Sequence, residues 1–222
     1  MALNAAEEET LDAVKKWWND NGKMLVAAVI LVFGGYTGWL LYQNANATQV
    51  AAASDLYEEI LTLVLAEPDQ PVSVEDGDRI MAISDELRAD YADSVYARYA
   101  ALFAAQQAVN QNDLQRAESD LQWILDNPEQ GMFGEVDEGL LLTTSLRLGR
   151  VILAQGEAER ALELVNGIDP KSYEAGFSEL RGDIYLSMDR IVDARDAYIA
   201  AQQAGSTSDG LRMKLDNLPD PS

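Results

Sequence analysis

The run from Met24 to Tyr42, MLVAAVILVFGGYTGWLLY, constrains this chain more than any other stretch. It contains no Asp, Glu, Lys or Arg. As a helix it reaches about 28 Å, close to the roughly 30 Å hydrocarbon core of a bilayer. The run predicts a single transmembrane helix over 24–42. A buried helix of a soluble domain rarely stays free of charge over such a length. A cleaved signal peptide is the stronger rival, since Ala45-Asn46-Ala47 resembles a cleavage site. However, the apolar core of such a peptide usually spans about 7 to 15 residues, and here the preceding segment is long and acidic. An uncleaved anchor fits better. Gly34, Gly35 and Gly38 lie inside the run. Small residues let a second membrane helix approach closely, so Gly34-x-x-x-Gly38 is a candidate packing face.

Orientation follows from the positive charges at the flanks. Lys15, Lys16 and Lys23 precede the run, and the first basic residue after it is Arg79. This predicts residues 1–23 in the cytoplasm and 43–222 as a periplasmic domain. Trp17 and Trp18 on one side, and Trp39 and Tyr42 on the other, have the amphipathic rings that favour headgroup depth.

The formal charge of the chain is −22. Beyond the run lie 13 of its 16 basic and 33 of its 38 acidic residues. Nucleic acid is not the expected partner, because phosphate binding needs clustered Lys or Arg. The acidity reads first as a soluble, self-repelling surface. Cysteine and histidine are both absent, which removes disulfides, thiolate nucleophiles, the common zinc sites and imidazole acid-base chemistry together. An enzyme whose catalytic groups are carboxylates is the catalytic reading to weigh. Glu58-Glu59 and Asp183 with Asp189 are pairs of that kind, yet in so acidic a chain such pairs are ordinary on solvated faces. The chain is expected not to be an enzyme and to need no cofactor. Asn46-Ala47-Thr48 matches the N-glycosylation pattern, a short match attributed to chance.

The rest reads as helices. Residues 7–18 place Leu11, Val14 and Trp18 on one face, and Asn21-Gly22 signals a helix end. Ala47 to Ala66 keeps an apolar face through Val50, Ala53, Tyr57, Ile60, Leu61 and Val64, so the membrane helix is able to continue into the exported domain. A loop is expected over 68–77. Helical patterns follow at 79–90, 92–110, 113–127, 138–154, 157–167, 172–187, 190–204 and 208–217, with no convincing strand. Stop signals at Asn112-Asp113, Asn127-Pro128, Gly156 and Asp169-Pro170 separate them. Helices joined this tightly pack as antiparallel hairpins.

The hairpins repeat. Gly149 and Gly182, Ile152 and Tyr185, Leu153 and Leu186, Gly156 and Asp189, Ala161 and Ala194, and Val165 and Tyr198 each stand 33 residues apart. Tetratricopeptide units have about this period. An earlier copy aligns on Ala117, 44 residues before Ala161. The difference assigns an insertion to the stretch around 128–137. Close approach within a unit is expected of Gly149 or Gly182 against Ala161 or Ala194. The fold class is therefore all-α: an N-terminal transmembrane helix followed by a tetratricopeptide-like α-hairpin solenoid.

Several residues carry a resemblance to a known family. They are Lys15-Lys16-Trp17-Trp18 followed by Asn21-Gly22-Lys23, the end of the span at Gly38-Trp39, the Asn112-Asp113-Leu114 turn, Leu146-Arg147-Leu148-Gly149-Arg150 and Arg181-Gly182-Asp183. In this order, and over nearly the whole length, the chain resembles the ancillary subunit family of the bacterial Sec translocon. The resemblance implies a single-pass inner-membrane protein that partners the SecYEG channel, associates with a membrane-anchored periplasmic chaperone of the parvulin-like type, and helps exported polypeptides as they emerge. The residues alone support a tethered helical repeat, which equally suits a scaffold for another cell-envelope complex.

In tetratricopeptide hairpins the first helix of each pair lines the concave side. Carried onto the aligned units, that pattern gives Tyr99, Leu102, Gln106 and Val109, then Leu146, Arg150 and Leu153, then Glu179, Asp183 and Leu186. Apolar anchors alternate there with polar groups, as a groove for a peptide or a partner helix requires.

Overall fold

The computed structural model describes the backbone of residues 5–66, 70–128 and 136–219, with side chains at 5–9, 11–14, 25–29 and 41–46 outside the described set. The regular structure of these residues is helical: α1 Ala5–Leu65, α2 Val74–Asp90, α3 Val95–Asn110, α4 Leu114–Asp126, α5 Glu138–Ala154, α6 Ala158–Asn166, α7 Glu174–Ser187, α8 Ile191–Gln203 and α9 Asp209–Asp216. A single 3-10 turn, Lys171–Tyr173, precedes α7. Two units divide the chain, 1–51 and 52–222.

In the first unit the helix end expected at Asn21-Gly22 does not form. The Asn21 amide donates instead to the Trp17 carbonyl at 3.2 Å, and the bare Cα of Gly22 lies beneath the Trp18 indole, where a Cβ would sit 3.1 Å from the ring. Ile30, Leu31, Val32, Phe33, Tyr36 and Trp39 are all exposed. Among the described residues no helix is long and apolar enough to cross a membrane. The expected span 24–42 is thus not recovered as one, and its residues 25–29 and 41–42 lie outside the described side chains. A Cβ built at Gly34, Gly35 or Gly38 meets nothing within 4 Å. Thr37 Oγ1 donates back to the Phe33 carbonyl at 2.8 Å.

The second unit is a stack of hairpins. Ala53 and Ile60, near the end of α1, bury against Ile80, Ile83 and Leu87 of α2 and Ala97 and Ala100 of α3. From α2 to α9 each helix packs on its chain neighbour. A central core runs through α3, α4, α5, α6 and α7, with Leu121, Leu148, Ile152, Val165, Phe177, Leu180 and Ile184 all buried. A smaller one joins α8 to α9 through Tyr198, Ala201 and Leu211. The loop expected over 68–77 is shorter than that, because α2 begins at Val74. Ser73 caps it, its hydroxyl oxygen accepting from the Asp76 N–H at 3.1 Å, which satisfies one free helix-end donor, while the hydroxyl donates to the Asp76 carboxylate at 2.7 Å. The insertion around 128–137 lies largely outside the described residues.

The three repeats share one turn. Asn112, Gly156 and Asp189, which end the first helix of the three hairpins, have φ of 61, 85 and 59°. After each, the next residue's N–H closes back on the helix: Asp113 to Ala108 at 2.8 Å, Glu157 to Ile152 at 3.2 Å, and Arg190 to Tyr185 at 2.9 Å. This is the left-handed helix cap that glycine and asparagine favour.

Close approach within the hairpins differs in one respect from the expected pairing. Gly149 faces Val165, and Gly182 faces the Tyr198 ring, four residues beyond Ala161 and Ala194. Both alanines are fully buried, but the second helix reaches the glycine with its next turn.

A charged group ties α2 to α4. The fully buried Asp120 accepts from Arg116 Nε at 2.9 Å and from Arg88 Nη1 at 2.9 Å. Arg116 and Arg88 both also reach Asp85. Arg88 lies 5.7 Å from the centre of the Trp123 ring.

Two stability outcomes follow. A methyl on Gly182 would collide with the ring of Tyr198, which is fully buried and tied through its hydroxyl to Asp183. Gly182→Ala is therefore expected to lose about 1–2 kcal/mol net, because overpacking outweighs the gain of roughly 1 kcal/mol in helix propensity. Tyr198→Val, which copies the Gly149–Val165 pair, should make the double variant less destabilised than the sum of its parts. Gly167→Ala, in ordinary contact at 3.5 Å, serves as the neutral control, all read by urea unfolding. Asp120→Ala should cost about 2–3 kcal/mol, below the ~3–5 of a fully orphaned buried pair because Asp85 still holds both guanidiniums. A thermal melt indistinguishable from wild type would show that the charged group does not join the two helices.

Candidate protein-binding groove

Helices α3 and α5, with α4 beneath them, enclose a groove of about 330 Å³. Leu102, Ala105, Gln106 and Val109 form the α3 wall, Leu114 and Leu121 the floor, and Arg147, Arg150, Val151 and Ala154 the α5 wall. Each wall is an i, i+3, i+4, i+7 stripe, one face of a helix. The residues reach these positions because the Asn112 turn folds α4 back under α3, and Gly149 lets α5 settle onto α6 and α7.

Four of the expected site residues meet here: Leu102, Gln106, Val109 and Arg150. Gln106 donates to Asn110 Oδ1 at 3.2 Å, along its own helix. The others are elsewhere. Tyr99 is partly exposed in an aromatic group, its ring 6.5 Å from Tyr57, with Tyr96 and Phe103 also against Tyr57. Leu146 lies against α7, where a Cβ on Gly176 would come within 2.9 Å of it. Leu153 is half-buried against the central core. Leu186 is exposed and does not line this groove.

Glu179 and Asp183 are not open groove carboxylates. Lys214 of α9 donates to both at 2.8 Å, and the Tyr198 hydroxyl donates to Asp183 at 2.8 Å. The last helix thus closes the third unit. Between α5 and α7 no equivalent groove opens, because Leu180 fills the space beside Gly149, where a Cβ would be only 2.8 Å away.

Six groove residues were not among those read from the sequence: Ala105, Leu114, Leu121, Arg147, Val151 and Ala154. The expected α5 stripe of Leu146, Arg150 and Leu153 shares Arg150 with the groove but centres on a helix face turned by roughly a quarter turn from Arg147, Arg150, Val151 and Ala154. The signal that could have set it was the Arg147–Arg150 pair itself, two cations one turn apart in an acidic chain. Among the described residues no group of His, Cys, Asp and Glu is placed to hold a metal ion.

The tetratricopeptide repeat-like domain model matches residues 15–220. A protein of Haemophilus influenzae named ancillary SecYEG translocon subunit is 30% identical over 220 residues, 98% of this chain and all of that protein. The chain belongs to the ancillary SecYEG translocon subunit family. Members bearing the same name in Escherichia coli and Neisseria gonorrhoeae are each 29% identical, over 98% of this chain. No solved structure matches the chain. Membership of this family, with its tetratricopeptide-like repeats, accords with a binding rather than a catalytic role.

One outcome concerns the closed end of this family member. Burial, first, and the bond to Asp183, second, raise the Tyr198 hydroxyl above an ordinary phenol. A group held more tightly protonated in the folded state stabilises fully below its unfolded pKa, here about 10, and loses that contribution as pH rises beyond it. Wild type should therefore lose more stability between pH 10 and pH 12 than Tyr198→Phe. Parallel alkaline decline of the two, followed by denaturant midpoint, would exclude Tyr198 as a source of that loss.

Proposed function

We propose that this chain is a non-enzymatic ancillary subunit of the Sec translocon. In this reading it is anchored in the inner membrane by the helix over 24–42, with residues 1–23 cytoplasmic and 43–222 periplasmic. Its tetratricopeptide-like domain then receives a protein segment in the α3–α5 groove. The partners would be the SecYEG channel, a membrane-anchored periplasmic chaperone of the parvulin-like type, and exported polypeptides as they emerge. End-to-end similarity to proteins named for the SecYEG translocon carries this reading.

Physical observations support its parts. Apolar side chains exposed around α1, including Leu31, Val32, Phe33 and Trp39, have no favourable fate in water and a good one in lipid. The open surface at Gly34, Gly35 and Gly38 suits a second membrane helix from a partner. A concave, largely apolar groove with a few polar groups is the form expected of a site for a peptide or helix.

The test is recovery of partners from native membranes. Affinity purification of the tagged full chain in mild detergent should bring SecYEG with it, and Gly34→Leu with Gly38→Leu should reduce that recovery while the chain still inserts. Protease added to spheroplasts should digest the domain after the span and spare a short membrane-protected fragment. Recovery of a different envelope complex without SecYEG would replace this reading with that of a scaffold, and a domain shielded until lysis would reverse the topology.

A further inference from the structure

The positive charges of the second unit fall into two sets. From Arg79 to Lys214, every lysine and arginine but two donates to a carboxylate or a backbone carbonyl. The two are Arg147 and Arg150. Neither has such a partner among the described residues, and both are exposed on the α5 wall of the groove. Chance pairing works against this outcome, because acids outnumber bases in the chain by 38 to 16. Among the described residues of the second unit, these two guanidiniums one turn apart are the place where positive charge without a carboxylate partner lies beside an apolar surface.

From this we infer that the groove takes a polypeptide segment that carries carboxylates next to aliphatic side chains, an acidic amphipathic peptide or helix. The inference rests on the protein-binding reading of this groove and specifies its ligand. Aliphatic side chains would enter between Leu102, Val109, Leu114 and Val151, while Asp or Glu side chains one turn away accept from Arg147 and Arg150. A guanidinium presents a planar fork of donors that matches a carboxylate in two-point contact. The same charges disfavour a basic segment, and the net negative charge of the rest of the second unit directs an acidic ligand to this rim. That combination gives orientation as well as selectivity, since the apolar floor is nearly uniform and only the α5 rim is charged.

The experiment uses the full chain in detergent and three labelled synthetic peptides with leucines at i and i+4. One carries glutamates beside them, and its analogues carry glutamine or lysine at those positions. The cysteine-free chain accepts a single label through Gln106→Cys, which reports whether a peptide lies in the groove. The glutamate peptide should bind best and respond to salt. Arg147→Gln with Arg150→Gln should weaken it about tenfold, the scale of two partly exposed charge contacts. Arg147→Glu with Arg150→Glu should exchange the preference to the lysine peptide. Both arginines are exposed and unpaired, so helical circular dichroism and melting should be unchanged. A variant that did unfold would be replaced by Arg147→Lys with Arg150→Lys, expected to retain acidic preference with weaker binding. Equal binding of all three peptides, or arginine-dependent binding of phosphatidylglycerol vesicles with no peptide binding, would overturn the inference. If selectivity fails while SecYEG still copurifies, the ligand chemistry is wrong and the Sec reading stands. Selectivity that persists without SecYEG has the opposite meaning.

Discussion

The repeats depend on a turn that holds one residue in a left-handed backbone at the end of each leading helix. A chain ending a helix this way closes its last carbonyls and reverses direction within two residues, so the following helix has to return along the first. Asn112, Gly156 and Asp189 adopt that backbone at spacings of 44 and 33 residues. Glycine does so without steric penalty, and asparagine and aspartate tolerate it because their short polar side chains bond locally. Given these turns, the second and third hairpins share a contact between residues sixteen apart: Gly149 against Val165 and Gly182 against Tyr198. The larger the residue on the returning helix, the less the leading helix can carry, which is why a tyrosine lies opposite a glycine with no room to spare.

Packing by these contacts leaves the charges to arrange themselves, and their arrangement separates structure from surface. Asp120 is buried whole between two arginines, an expensive position that only several strong hydrogen bonds make tolerable. At the other end, Lys214 bridges Glu179 and Asp183 across α7 and α9. Burial disfavours its charge, and the two carboxylates outweigh burial and raise its pKa. Such pairs are internal fasteners. The other exposed cations of the second unit lie within reach of a carboxylate or a backbone carbonyl, so the isolation of Arg147 and Arg150 among the described residues there reflects where α5 places them.

Much of the fold was legible because it obeys local rules. Asn112-Asp113 and Gly156 announce their turns by residue type, and the period of 33 exposes the units they close. The α3 face was legible for the same reason: Leu102, Gln106 and Val109 follow one helical stripe. Other features depend on contacts that no local pattern encodes. Gly22 looks like a break until an indole from the previous turn covers it. Ser73 starts α2 ahead of a glycine at 77 because that glycine is buried, where a Cβ would come within 3.0 Å of the Gln111 amide. Glu179 and Asp183 read as open acids, since the lysine that occupies them lies more than thirty residues away in sequence.

The same logic explains why a period that repeats does not produce a groove that repeats. Leu102, Leu146 and Glu179 are equivalent by alignment, as are Ala105, Gly149 and Gly182. At the α5–α7 junction the glycine lets Leu180 come within what would be Cβ contact of Gly149, and Gly176 admits Leu146 in the same way. The two leading helices therefore close on one another, and their side chains become core. At the α3–α5 junction the corresponding residue is Ala105, whose methyl lines the groove, and extra residues separate α4 from α5. An identical spacing of helices is then no longer imposed, and the space between α3 and α5 stays open to about 330 Å³. One methyl group and one insertion thus distinguish a junction that buries its side chains from one that presents them, and the open groove of this solenoid falls at the place where its repeat is least regular.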